Sequence, residues 1–152
     1  MKSYLLVAAA LVVVDQAIKA AVLAWVPLHA LAAGGLITYV RNTGITFGFL
    51  AGANTAMIFV SIVALGALGW AMRTADRPSR IGITMLLAGV TGNFIDRIVH
   101  GAVIDYVRIG GFPVFNLADS LIVTGIIWLL LTELDWFRKR FQNSSKSSRS
   151  SR

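Results

Sequence analysis

Tyr4-Leu5-Leu6-Val7-Ala8-Ala9-Ala10-Leu11-Val12-Val13-Val14-Asp15-Gln16-Ala17-Ile18-Lys19-Ala20-Ala21-Val22-Leu23-Ala24-Trp25-Val26 is an almost unbroken apolar run holding Asp15, Gln16 and Lys19. A helix that crosses a bilayer needs roughly 20 mostly apolar residues, so this stretch predicts a span. Three more runs of similar character follow, at about 55–72, 81–99 and 119–136. Apolar residues make up 57% of the 152, charged residues only 14%, and mean hydropathy is strongly positive. A soluble fold of this length cannot hide so much apolar surface. The predicted fold class is an all-α membrane protein with four transmembrane helices and a small β-rich outer subdomain. A cleaved secretory signal is the other reading of the first run, since Lys2 precedes it and Ala30-Leu31-Ala32 faintly resembles a cleavage site. Its length, together with Asp15 and Lys19, argues against that.

Charge sets the expected orientation. Arg73, Arg77 and Arg80 lie between the second and third runs, Lys2 at the start, and Arg138, Lys139 and Arg140 after the fourth. Positive residues collect on the cytoplasmic side, so both termini are expected there, with segments 27–54 and 100–118 facing outward. The net charge of +7 does not point to nucleic acid, because six of the fourteen basic residues fall in the last fifteen positions, beside the membrane. One membrane domain is expected over 1–136. The Ser-rich basic segment 137–152 is expected to be disordered, having almost no apolar residues. There is no cysteine, which rules out disulfides, thiolate metal sites and Cys nucleophiles.

The outer segments carry strand signals. Leu36-Ile37-Thr38-Tyr39-Val40 is β-branched and aromatic and is closed by Asn42-Thr43-Gly44. Val103 to Val107 and Phe112 to Phe115 are further candidates, and the expectation is a small sheet at the outer membrane surface.

Ionisable residues at membrane depth are functional candidates by default, because each is costly there. Asp15 and Lys19 are four apart on one helix face, and a structural ion pair is the competing reading. Gly89, Asn93 and Arg97 recur every fourth residue, with Asp96 beside them. They suit either a small-residue packing face or a site, and Asp96-Arg97 would also pass for interfacial charge. Asn116 and Asp119 are good helix-start residues. Asp105 has no such explanation within Val103-Ile104-Asp105-Tyr106, so it needs a partner. The expected topology brings Asp105 and Asp119 to the same outer boundary, where two carboxylates in contact would hold one proton between them. Such a pair suits hydrolysis by activated water. His29 and His100 lack metal-site spacing, Ser120 has no evident His base, and Ser61 is an ordinary small polar residue in an apolar helix. A proton- or ion-coupled carrier using Asp15, Lys19, Asp96 and Arg97 is the rival function, but the two halves show no repeat. A scaffold is the third.

Five motifs in order resemble the bacterial lipoprotein signal peptidase (signal peptidase II) family over roughly Tyr4 to Trp136. Asp15-Gln16-Ala17-Ile18-Lys19 is similar to D-Q-x-x-K, and Asn42-Thr43-Gly44-Ile45-Thr46-Phe47-Gly48 to N-x-G-x-x-F-G. Gly89-Val90-Thr91-Gly92-Asn93-Phe94-Ile95-Asp96-Arg97 resembles G-x-x-G-N-x-x-D-R, Val103-Ile104-Asp105-Tyr106 resembles V-x-D-[FY], and Phe115-Asn116-Leu117-Ala118-Asp119-Ser120 resembles F-N-x-A-D-S. The resemblance implies an aspartic endopeptidase with Asp105 and Asp119 as catalytic dyad. It also implies a diacylglyceryl prolipoprotein substrate, cut just before the lipidated cysteine. Asp15, Lys19, Asn42, Gly44, Phe47, Gly89, Asn93, Asp96, Arg97 and Asn116 are then the supporting and substrate-binding residues. No metal or cofactor is expected; membrane lipid is the surrounding partner, nucleic acid is not one, and the protein is expected to act as a monomer in the cytoplasmic membrane. Two features depart from the family pattern: Thr46 stands where a small apolar residue is usual, and the stretch from Asp105 to Asn116 is short and contains Gly110-Gly111.

Overall fold

A computed structural model describes residues 1–26, 36–44 and 54–150. The chain runs α1 (Lys2–Trp25), β1 (Ile37–Asn42), α2 (Asn54–Thr74), α3 (Arg77–His100), β2 (Val103–Val107) and α4 (Leu117–Ser150). All four helices are long and apolar enough to cross a membrane, α4 through its Leu117–Trp136 portion. These lie within a few residues of the four apolar runs.

The helix ends follow local chemistry. Val26 is extended after α1, as expected of a residue ahead of a proline, here Pro27. Asp76 caps α3 by accepting from Ser79 N–H at 3.0 Å, with Pro78 in the first turn. α3 stops at Gly101, whose φ of 69° is the left-handed conformation that terminates helices. α4 opens on a reciprocal cap: Asp119 N–H donates to Asn116 Oδ1 at 2.8 Å, and Asn116 N–H donates to Asp119 Oδ2 at 3.2 Å.

α3 is the central helix and packs against α1, α2 and α4. Its approach to α4 is close enough to require glycine. A methyl group on Gly89 would sit 2.4 Å from the Ala118 carbonyl oxygen and 2.7 Å from Ile122 Cγ1. Small residues let helices meet at backbone distance in lipid, where apolar burial gives no net drive. The outward faces are correspondingly apolar: Leu6 is 71% exposed and Val63 72%, surface that a bilayer covers.

β1 and β2 pair antiparallel, with Val40 opposite Asp105 and Asn42 opposite Val103, and a bulge between Ile37 and Val40. The expected third strand near Phe112–Phe115 is reduced to one bridge, Val107 to Phe115. Gly110, at φ 54°, turns the chain, and Pro113 has no N–H to add to a ladder. Buried Val22, Tyr39, Ile104 and Tyr106 join this sheet to α1.

Beyond Trp136 α4 runs on past its membrane-spanning portion. Helical backbone continues to Ser150. Extending an existing helix adds a hydrogen bond per residue without a new nucleus, and Arg138, Lys139, Arg140 and Gln142 are strong helix formers. A lack of apolar residues argues against a packed core, not against such an extension.

Candidate functional site

The sheet, the end of α3 and the start of α4 surround a cavity of about 900 Å³. Asp105, Asp119, Asn93, Arg97, Asn42 and Gly44 line its polar end, while Val60, Ala64, Val90, Ile122 and Val123 line its apolar part between α2, α3 and α4.

β2 presents Asp105, 2% exposed, to this cavity. Asn116 Nδ2 donates to its Oδ1 at 2.7 Å, and Asn42 Nδ2 donates to its Oδ2 at 3.0 Å. Asn42 is itself oriented by an Asx turn, accepting from Gly44 N–H at 3.1 Å. Burial, followed by the nearby charge of Asp119, pushes the Asp105 carboxyl up to about 7. The first turn of α4 presents Asp119, whose Oδ1 accepts from Asn93 Nδ2 at 2.8 Å. The two carboxylates therefore face one cavity and sense each other, but they are held by separate donors. A bridge of asparagines links their donors: Asn116 Nδ2 also lies 3.1 Å from Asn93 Oδ1.

A second polar group lies behind the first and does not line the cavity. Lys19 Nζ is 2.9 Å from Asp15 Oδ2, 2.7 Å from Asp96 Oδ2 and 3.1 Å from Asn93 Oδ1. Asp15 Oδ1 accepts from Ala118 N–H at 3.1 Å, and Asp96 Oδ2 accepts from Ile104 N–H at 3.1 Å. One buried cation thus fixes α1 to α3, while its two carboxylates grip the start of α4 and the start of β2. Asp15 and Lys19 are more than a two-member ion pair, and Asp96 is fully buried rather than interfacial. Gly92 makes room for Asp15, since a methyl there would fall 2.5 Å from Asp15 Oδ2.

Gly89 serves the α3–α4 contact, and Arg97 reaches the cavity wall, its guanidinium donating to the Asn93 carbonyl at 3.4 Å. The stripe of Gly89, Asn93 and Arg97 therefore combines packing with site lining. Phe47, Thr46 and His29 lie outside the described residues. Ser120 lines the cavity, and its hydroxyl donates to the Asn116 carbonyl at 3.1 Å; Ser61 donates to the Met57 carbonyl at 2.8 Å.

Three contributors were not singled out from sequence. Gln16 Nε2 reaches Asp96 Oδ1 at 3.0 Å and the Gly92 carbonyl at 3.2 Å; its signal was its place between Asp15 and Lys19. The Tyr106 hydroxyl accepts from Leu117 N–H at 3.1 Å, and adjacency to Asp105 was the only hint. Val60 and Ala64 of the α2 lining had none, being apolar positions in an apolar helix.

The family described as Signal peptidase (SPase) II matches residues 7–135. The lipoprotein signal peptidase of Lactiplantibacillus plantarum is 36% identical, covering 90% of this chain and 98% of that protein. That of Syntrophomonas wolfei subsp. wolfei is 43% identical, covering 90% and 94%. A solved bacterial membrane enzyme superposes with a TM-score of 0.81 at 29% identity, over 89% of each chain.

Proposed function

Given that the chain belongs to the signal peptidase II family, a family of proteases, we propose that it is an intramembrane aspartyl endopeptidase. Its substrates are diacylglyceryl-modified prolipoproteins, from which it removes the signal peptide before the lipidated cysteine. The observation that carries this reading is the meeting of Asp105 and Asp119 on one cavity, at the end of the spans where the sheet sits.

In the proposed reaction the pair holds one proton at neutral pH, and Asp105, raised to about 7, keeps it. Asp119, accepting from Asn93 and Asn116, is ionised and takes a proton from water as the oxygen attacks the scissile carbonyl. Asp105 hydrogen-bonds the carbonyl oxygen and stabilises the negative charge that develops there. A proton then passes from Asp119 to the leaving nitrogen and the C–N bond breaks. The products are a signal peptide ending in a carboxylate and a lipoprotein beginning with the free amine of its lipidated cysteine. The apolar part of the cavity, between α2 and α4, suits a substrate that arrives from lipid, with its signal helix and acyl chains against Val60, Ala64 and Val123. In this reading the chemistry lies at the outer face of the cytoplasmic membrane with both termini inside, which the positive charge of Arg73, Arg77 and Arg80 between α2 and α3 supports, and the protein acts as a monomer.

The rival carrier reading loses support because Asp15, Lys19 and Asp96 are buried and mutually satisfied, without facing the cavity. The test is cleavage of a lipidated prolipoprotein in membranes holding wild type, Asp105→Asn or Asp119→Asn. Wild type is expected to cut it, and each variant to lose at least about a hundredfold. Full cleavage by either variant sinks the dyad; equal cleavage of an unlipidated precursor sinks the substrate assignment.

A further inference from the structure

Asp105 and Tyr106 are neighbours in β2, so their side chains leave opposite faces of the strand. Asp105 faces the cavity, while Tyr106 is buried on the other side with Val22, Tyr39 and Ile104. From there its hydroxyl accepts from Leu117 N–H, 3.1 Å away. Leu117 is the first residue of α4, one of the positions whose N–H groups have no partner within the helix. The next N–H groups go elsewhere: Ala118 to Asp15 Oδ1, and Asp119 to Asn116 Oδ1. On the cavity side the same two elements are tied again, by Asn116 Nδ2 to Asp105 Oδ1 at 2.7 Å. The two ties lie on opposite faces of β2. Asp15 and Asn93 hold the same turn from α1 and α3, and the two ties to β2 fix its angle and distance relative to the strand that carries Asp105.

We infer that Tyr106 is a positioning residue, whose hydroxyl is the rear tie of a two-point clamp that sets the spacing of Asp105 and Asp119. This rests on the dyad reading above. Tyr106 does not line the cavity, so it acts only through the placement of α4. The groups that face Asp105 are Asn42 on β1, Lys19 on α1, Arg97 on α3, and Asn116 and Asp119 at the start of α4. Among them Asp119 is the carboxylate whose distance the clamp controls.

The experiment compares wild type, Tyr106→Phe, Tyr39→Phe and Asp105→Asn in lipid, with rates normalised to folded protein. Tyr106→Phe is expected to lower kcat by about tenfold with KM unchanged, since small misplacements of reacting groups act on the chemical step. It should also move the alkaline limb of kcat to lower pH, because Asp119 retreats and Asp105 then holds its proton less firmly. A stability role alone would leave that limb in place. Tyr39→Phe removes a hydroxyl from the same cluster and should leave both quantities unchanged. If Tyr106→Phe does not fold, Leu117→Pro removes the same N–H with a residue suited to the first helical position, and the same fall and shift are expected. Wild-type kcat and limb in a folded Tyr106→Phe or Leu117→Pro protein, beside an inert Asp105→Asn, overturn this inference alone. Cleavage by Asp105→Asn removes the dyad and this inference together.

Discussion

Asn116 Nδ2 lies 2.7 Å from Asp105 Oδ1, while the side-chain oxygen of the same asparagine caps α4 by accepting from Asp119 N–H at 2.8 Å. One amide thus serves both carboxylates, donating to the first and ordering the turn that carries the second. A helix cap and a proposed active-site contact are here a single side chain.

That double use is separable. Asn116→Asp keeps a strong cap but places a carboxylate against Asp105 where a donor stood. The protein is expected to fold and to lose at least about a hundredfold in cleavage. Asn116→Ala loses both roles, and its unfolding free energy should fall by about 1–3 kcal/mol. Thermal unfolding and prolipoprotein cleavage, measured on the same preparations, check both.

The pH dependence follows from Asp105. Its carboxyl, ordinarily at 3.8, titrates in the fold at about 7. The folded state therefore favours the protonated form. Its contribution to stability is full below about pH 4 and is lost as pH rises towards about 7. Cleavage should likewise fall above about pH 7, once neither member of the pair holds the proton. Melting temperatures from pH 4 to 8 should decline more steeply in wild type than in Asp105→Asn. Parallel curves would remove the assignment.

Lys19 neutralises two buried carboxylates, at 2.9 and 2.7 Å. Lys19→Met leaves Asp15 and Asp96 without their cation, and an uncompensated buried charge costs about 3–5 kcal/mol. Replacing Asp15, Lys19 and Asp96 together by apolar residues of similar volume should restore much of that stability without restoring activity. Unfolding in detergent separates the two cases.

The α3–α4 contact has its own test in two glycines. Gly89→Ala drives a methyl against the Ala118 carbonyl, so α4 must shift; a loss of about 1–3 kcal/mol is expected. The shift also displaces Asp119, so cleavage should drop with it. Gly66 has nothing within 4 Å of the added carbon, and Gly66→Ala should be neutral or slightly stabilising, as alanine is the better helix former.

What was legible from sequence depended on whether a signal was local. The spans were, because a bilayer imposes a length and a composition that any single segment either meets or does not. Both strands were, through the β-branched content of Ile37 to Val40 and of Val103 to Val107. The third strand was misjudged because Pro113 and the turn at Gly110 limit pairing more than apolar content favours it.

The sequence by itself determined four apolar helices, their order, and the few ionisable residues worth their cost in lipid. Only the tertiary structure decided how those residues divide. Asp15 and Ala118 are 103 positions apart and meet because α1 and α4 both pack close to α3 at Gly92 and Gly89. That packing gathers Asp15, Lys19 and Asp96 into a buried group behind the site and leaves Asp105 and Asp119 at the cavity. The physical reason is range. A bilayer selects each helix one segment at a time, whereas the position of a carboxylate depends on how closely distant backbones approach.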